Sequence, residues 1–277
     1  MPILDAIGKT TNTKRFSKII FAVLFVACLL SLTTIYSFAQ TSPLQKADND
    51  YAFQYGKYVE AHNNYLSAKS SYATFKTAAS KNDAYLKTKD YLKQVHAVYV
   101  SYLLLAKEIG NTFDWGENSQ NKNDLAKNLD LEINAFQENS KKLNSTQTLE
   151  ELPPIATDLD KHIKSTTSPL ISATLITYRI TEVKTRIKQM TSLSQQLDGY
   201  AKGRLTKEKY DAFFANWNTE IKKIQESAQK TLDDTNSNLG SRTSFSDEDV
   251  LFVTKATTTI FDKFKQANRL FEEVLRL

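Results

Sequence analysis

Residues that turn a chain are scarce here. From Gln40 to Leu277 there are six glycines and four prolines. A sheet protein needs a reversal about every 8–12 residues, and no segment shows sustained period-2 alternation closed by Asn-Gly or Asp-Gly. Apolar residues recur instead with the period of a helix almost everywhere. The expected class is all-α: an N-terminal signal or anchor helix, then long antiparallel helices forming coiled-coil-like bundles.

The pattern predicts six helices. Ser42-Pro43-Leu44-Gln45 supplies an N-cap, a first-turn proline and a capping-box glutamine. Tyr51, Tyr58, Tyr65 and Tyr72 then recur every seven residues, with Ala61, Ala68 and Phe75 three after the later ones. That is a heptad seam of tyrosines and small residues running to about Ala79. Ser80-Lys81-Asn82-Asp83 is read as a restart. The second helix carries Tyr85, Leu92, Tyr99 and Ala106 on one stripe and is expected to end at Gly110, as an antiparallel partner of the first. A polar loop, 111–123, precedes a helix over 124–143. A connector from Asn144 to Pro154 leads to a short helix over 155–164, with a break and fresh cap at Ser165–Pro169.

Three further helices follow. The first carries Ile176, Ile180, Val183, Ile187, Met190 and Leu197, and Gly199 and Gly203 are expected to close it. Thr206 caps the next, with Tyr210, Phe214, Trp217, Ile221 and Ile224 in its seam. Ser246 with Asp249 opens the last, where Phe245 can staple onto Val250. The expected organisation is a signal or anchor over 1–39, a helical hairpin with shorter helices over 40–167, and a three-helix antiparallel bundle over 168–277.

Residues 1–39 fix the expected address. Lys9, Lys14, Arg15 and Lys18 precede an uncharged run from Ile19 to Tyr36, and Ser37-Phe38-Ala39 has the small-x-small form that a signal peptidase reads. Cleavage would separate Ala39 from Gln40. The uncharged stretch also approaches the ~20 residues that span a bilayer, so retention as a membrane anchor over 18–39 is the alternative. A third reading has Phe25-Val26-Ala27-Cys28 as a lipobox, from which Phe25 departs because leucine is usual there. Positive charge before the run keeps the N-terminus inside and puts the rest on the extracytoplasmic side, secreted or attached to the outer face of the cytoplasmic membrane.

Composition removes several function classes. The formal net charge is +5, but residues 1–39 hold four cations and one acid, leaving 32 Lys/Arg against 30 Asp/Glu beyond them. The basic balance belongs largely to the leader and is no argument for nucleic acid. Cys28 is the only cysteine, so the part after Ala39 has no disulfide, zinc-thiolate site or cysteine nucleophile. Residues three before His62, His96 and His162 are Val59, Lys93 and Leu159, so the Glu-x-x-His pattern of di-iron bundles is missing. Asp158 and His162 share a helix face without a third ligand placed by spacing. Asp114–Asn118 is oxygen-rich but departs from the calcium-loop pattern. Asn144-Ser145-Thr146 is a glycosylation sequon in an expected loop. No catalytic, metal-binding or cofactor-binding residue is assigned, and no cofactor is expected.

Nine of the thirteen tyrosines lie between Tyr51 and Tyr102. Most fill a seam with hydroxyls at its wet edge. Tyr55, just off the seven-residue stripe, and Tyr58 are the candidate ligand or partner contacts. The expected function is a non-catalytic scaffold or interaction protein of the cell envelope, with protein partners along its long helical faces. The alternative is an extracytoplasmic sensor or ligand-binding bundle acting with a membrane partner.

Overall fold

A computed structural model describes residues 42–116, 119–240 and 244–275. The described residues are helical nearly throughout and contain no strand, so the all-α class holds. The segment read as signal or anchor lies outside them. Among the described residues no helix is long and apolar enough to cross a membrane.

Seven helices account for the architecture: α1 (Pro43–Phe75), α2 (Ala78–Asn111), α3 (Ser119–Ser145), α4 (Leu152–His162), α5 (Ser168–Arg204), α6 (Ala215–Leu239) and α7 (Asp247–Leu275). The chain divides into two compact units. The first runs to Ile109 and takes in Leu129–Ser165; the second comprises Gly110–Asn128 and Thr166–Leu277. The second unit therefore draws on the end of α2 and the start of α3 as well as on the three C-terminal helices.

Local chemistry explains the helix ends. Ser42 Oγ accepts from Gln45 N at 3.1 Å, and Pro43 sits in the first turn, where its missing N–H costs nothing. α1 stops at Phe75, four residues before the expected end, because Lys76 turns left-handed at φ 50°. Thr77 and Ser80 then cap α2 reciprocally, each hydroxyl accepting from the other's backbone N–H at 3.0–3.1 Å. This is a capping box with serine in place of glutamate.

Gly110 is inside α2, and α5 runs through Gly199 and Gly203 to Arg204. Each helix closes one residue later, α2 at Asn111 and α5 at Arg204, so Gly110 and Gly203 mark the expected ends and only Gly199 is passed through. The expected break at Ser165–Pro169 is also absent. Helix α4 continues through a π-helical segment, Ile163–Thr167, into α5, and no side chain caps the junction. Pro169 stands two residues after the π-helical segment; with no N–H to donate to the preceding turn, it interrupts the regular ladder where the irregular turn sits. At the last helix the expectations hold. Ser246 N donates to Asp249 Oδ2 at 2.9 Å, Asp249 N donates to Ser246 Oγ at 3.3 Å, and Phe245 and Val250 pack on one cluster with Val253.

In the second unit α5, α6 and α7 share a core of Val183, Ile187, Met190, Phe214, Trp217, Ile221, Leu232, Ile260, Phe264 and Phe271, all buried. Segment 110–116 also packs on α5. Trp115 Nε1 donates to Gly110 O at 2.8 Å, Phe113 lies 5.2 Å from Tyr178, and Thr185 Oγ1 donates to Asp114 O at 3.2 Å. In the first unit the buried side chains alternate between aromatic and small on α1 (Tyr58, Ala61, Tyr65, Ala68) and are larger on α2 and α3, where Leu103, Leu129 and Phe136 are almost wholly enclosed.

Candidate functional site

Heptad spacing puts Tyr51, Tyr58 and Tyr65 on the face of α1 that meets α2. The pairing runs antiparallel: Tyr51 meets Tyr102 at 5.6 Å, His62 meets Tyr91 at 5.2 Å, and Tyr65 stacks on Tyr91 at 5.1 Å with planes 12° apart. Tyr55 joins this row from the side, 6.1 Å from Tyr58 and 6.3 Å from Tyr51.

The two candidate contact residues take different positions. Tyr58 is 6% exposed, enclosed by Tyr55, His62 and Tyr91. Tyr55 is half-buried at the rim. Val59 and Leu66, both exposed, and half-buried His62 continue from Tyr55 along the same side of α1 at 4-3-4 spacing.

Burial governs the electrostatics of the row. The Tyr51 phenol is pushed up to about 12, first by burial and then by its neighbour Tyr55. Burial raises Tyr58 too, against a hydrogen bond with Tyr91 that lowers it, and raises Tyr99 further. Burial lowers His62. The phenols, neutral near pH 7 even unshifted, are moved further from ionisation. Such a row offers ring faces and hydroxyl donors to a ligand but no charged nucleophile.

A second polar group lies deeper in the first unit. His96 of α2 is 3% exposed and meets Phe136 edge-on at 5.8 Å. Its Nδ1 is 2.7 Å from Leu92 O, so that nitrogen carries the hydrogen. His162 of α4 lies on Phe136 as well, and its Nε2 is 2.9 Å from Oε1 of Glu132, which is 5% exposed. Asp158, which shares a helix face with His162 by spacing, is exposed; the partner of His162 comes from α3, 30 residues earlier in the chain. Among the described residues of this unit, the buried atoms His62 Nδ1, Thr88 Oγ1, Gln94 Oε1 and His96 Nε2 have no hydrogen-bond partner.

A third cluster ties the second unit together. Asp198 of α5 accepts from the Tyr210 hydroxyl, from Asn218 Nδ2 at 2.6 Å and from Lys202 Nζ at 2.6 Å. Tyr210 opens the π-helical segment Tyr210–Phe214 and stacks on Phe214, which in turn meets Trp217. Burial acts to raise the Asp198 carboxyl, but the three hydrogen bonds outweigh it and hold the group below its ordinary range. Tyr210 and Asn218 both donate to Asp198, which makes the cluster a clasp between α5 and the start of α6.

The remaining sequence candidates fall outside such clusters. Among the described residues no three His, Cys, Asp or Glu side chains gather as metal ligands. Asp114 Oδ1 accepts from Gly116 N at 3.0 Å, an Asx turn, and Trp115 is buried. The sequon lies at the end of α3 and not in an open loop: Asn144 is exposed, its carbonyl receives Lys89 Nζ at 3.0 Å, and Thr146 is buried with its hydroxyl on Leu143 O. Ala39 and Gln40 lie outside the described residues.

Sequence reasoning did not single out His96, Glu132 or Asp198. Only Asp198 had a local signal, Asp-x-x-x-Lys on one helix face. Comparison with protein-family models, with curated proteins and with solved structures gives no significant match.

Proposed function

We propose that this chain is an exported, non-catalytic helical scaffold or interaction protein, working on the extracytoplasmic side of a membrane. The address rests on the basic, apolar and small-x-small succession over residues 9–39. The interaction role rests on one structural observation: the two longest helices of the first unit carry large apolar side chains on their outer sides. Phe53, Val59, Leu66, Phe75, Leu86 and Leu104 are all at least 40% exposed. Apolar side chains recurring along a long helix supply the anchors by which a second helix docks.

The deciding experiment is fractionation of the native host with N-terminal sequencing of the protein recovered. An N-terminus at Gln40 means a released or non-covalently held protein. An intact N-terminus in the membrane fraction means an anchored one, and a lipid on Cys28 means a lipoprotein. The intact chain in the cytosol would sink the proposal together with its envelope role.

Half-buried Tyr55 favours a second reading, a ligand-binding or sensor bundle that acts with a membrane partner. Its ring lies against Tyr51 and Tyr58 and keeps an outward surface on which a glycan or peptide could stack. Tyr55→Leu and Tyr58→Leu separate packing from recognition. Loss of a glycan or peptide interaction at unchanged melting temperature would favour this reading, and loss of stability alone would assign both rings to packing.

A further inference from the structure

All three histidines of the chain, His62, His96 and His162, belong to the first unit, and the second unit has none. Both tryptophans, Trp115 and Trp217, belong to the second. His96 is the one to which protonation is most hostile. Its Nδ1–H is spent on Leu92 O, 2.7 Å away, and its Nε2 is buried with no partner. A proton arriving at Nε2 would create a buried cation whose new N–H has no acceptor. That is among the costlier arrangements a core can hold.

From the geometry we propose that the first unit is an acid-sensitive element. Proton uptake at His96 loosens the packing of α2 on α3 around Phe136, while the second unit stays folded. The inference concerns folding and stands apart from the address proposed above.

The surroundings of His96 offer its cation no rescue. Across Phe136, Glu132 of α3 already receives His162 of α4 at 2.9 Å, so a proton on His162 has a carboxylate beside it. Asp160 of α4 receives Lys164 at 2.6 Å. On α2 itself stands Tyr99, stacked on Phe136, and α1 brings the phenols of Tyr51 and Tyr58 toward Tyr99, all three neutral and moved further from ionisation by burial. No carboxylate oxygen is within hydrogen-bonding distance of His96 Nε2.

Burial holds His96 below its ordinary range, partly offset by the Leu92 carbonyl, and burial also lowers half-buried His62. The sign follows from linkage. The unfolded chain takes up these protons at about 6.5, and the folded unit does so only at lower pH. The histidine contribution to stability is therefore complete above about pH 6.5 and is lost as pH falls below it. For each proton bound by the unfolded chain alone, the folding equilibrium constant drops by up to about tenfold per pH unit.

The test uses the full chain in a non-ionic detergent micelle, melted at pH 7.5, 6.5, 5.5 and 5.0. Tyrosine near-UV ellipticity, with Tyr178, Tyr200 and Tyr210 replaced by Phe so that only the first unit contributes, follows the first unit, and tryptophan fluorescence follows the second. The expected result is a tyrosine transition that moves to lower temperature below pH 6.5 while the tryptophan transition holds its place. His96→Met should flatten the shift, and His162→Gln should leave it in place. The proposal is overturned if both transitions move together, if neither moves, or if His96→Met shows the wild-type pH dependence. Should His96→Met not fold, the imidazole resonances of the wild type decide. His96 titrating at 6.5 or above in the folded unit overturns the proposal, and proton uptake that coincides with loss of the tyrosine signal supports it.

Discussion

Gly110→Ala sets two known effects against each other, and the structure decides between them. Gly110 is a helical residue of α2, where alanine is better by about 0.8–1 kcal/mol on propensity alone. A Cβ placed there, however, would stand 2.5 Å from the Tyr178 hydroxyl oxygen, 3.0 Å from Cζ and 3.2 Å from Cε1. Tyr178 is 6% exposed, with its ring against Phe113 at 5.2 Å and Trp115 at 6.0 Å, and its hydroxyl is hydrogen-bonded at the Gly110 backbone. It has nowhere to retreat without surrendering that bond and disturbing both rings.

Overpacking of this kind costs about 1–3 kcal/mol, and the lost hydrogen bond about 1 more. Subtracting the propensity gain leaves a net destabilisation of roughly 1–3 kcal/mol, a fall of roughly 5–10 °C in the melting temperature of a unit this size. Tryptophan fluorescence reads it directly, since both tryptophans lie in the second unit. Tyr178→Phe removes the closest atom. In that background the cost of Gly110→Ala should shrink by about 1 kcal/mol, a coupling that a double-mutant cycle isolates. A Gly110→Ala protein that melts higher than wild type would refute the reasoning, because propensity would then have won over the close approach.

Lys76 holds φ at 50° to end α1, the one non-glycine residue with positive φ among those described. Lys76→Gly should stabilise the first unit by about 0.5–1 kcal/mol, read as a higher melting temperature in far-UV circular dichroism. Asp198 is held below its ordinary range, so its contribution is present above about pH 4 and is lost as pH falls further. Asp198→Asn should accordingly flatten the acid limb of the second unit's stability below pH 4, and an unchanged acid limb would mean the clasp is idle. A fragment from Ser168 to Leu277 keeps the shared core between Val183 and Phe271 and loses the cover of segment 110–116 over Tyr178 and Thr185. It should melt cooperatively as a helical protein, and a disordered fragment would show that segment 110–128 is needed to complete the second unit.

Period and caps made the helices legible. Ser42 with Gln45, Thr206 with Lys209, and Ser246 with Asp249 cap in place because each bond joins residues three apart, within the window that a sequence displays. Gly199 looks like a terminator, yet a glycine closes a helix only where the backbone turns, and Ser165–Pro169 looks like a break, yet a π-helical segment carries the helix up to Pro169. Lys76 makes that turn at the end of α1, and Gly240 ends α6 at a positive φ of its own. The tyrosine seam was visible because it is periodic along one helix. His96 beside Phe136, Glu132 beside His162, and Tyr178 over Gly110 join residues 30 or more apart, and no periodicity along the chain encodes which helices meet.

The core of the first unit is more polar than its architecture requires. Thr88 is 1% exposed on α2, and its hydroxyl has no hydrogen-bond partner. Leaving a hydroxyl buried in this way costs about 1–3 kcal/mol relative to a bonded one, and valine has nearly the same shape without the oxygen. If the site is dry, Thr88→Val removes that cost and should stabilise the first unit by about 1 kcal/mol, with unchanged helix content and a higher tyrosine-reported melting temperature. If the hydroxyl is held by an ordered water, the substitution strands that water among apolar atoms and the melting temperature should fall. A fall would refute the dry-core argument. It would also recast Thr88, His62 and Gln94, whose polar atoms share this condition, as the lining of a hydrated seam beside Tyr65 and Tyr91. Water there would be a group that a ligand could displace, whereas a dry seam would leave ligand recognition to the outward surface of Tyr55 alone.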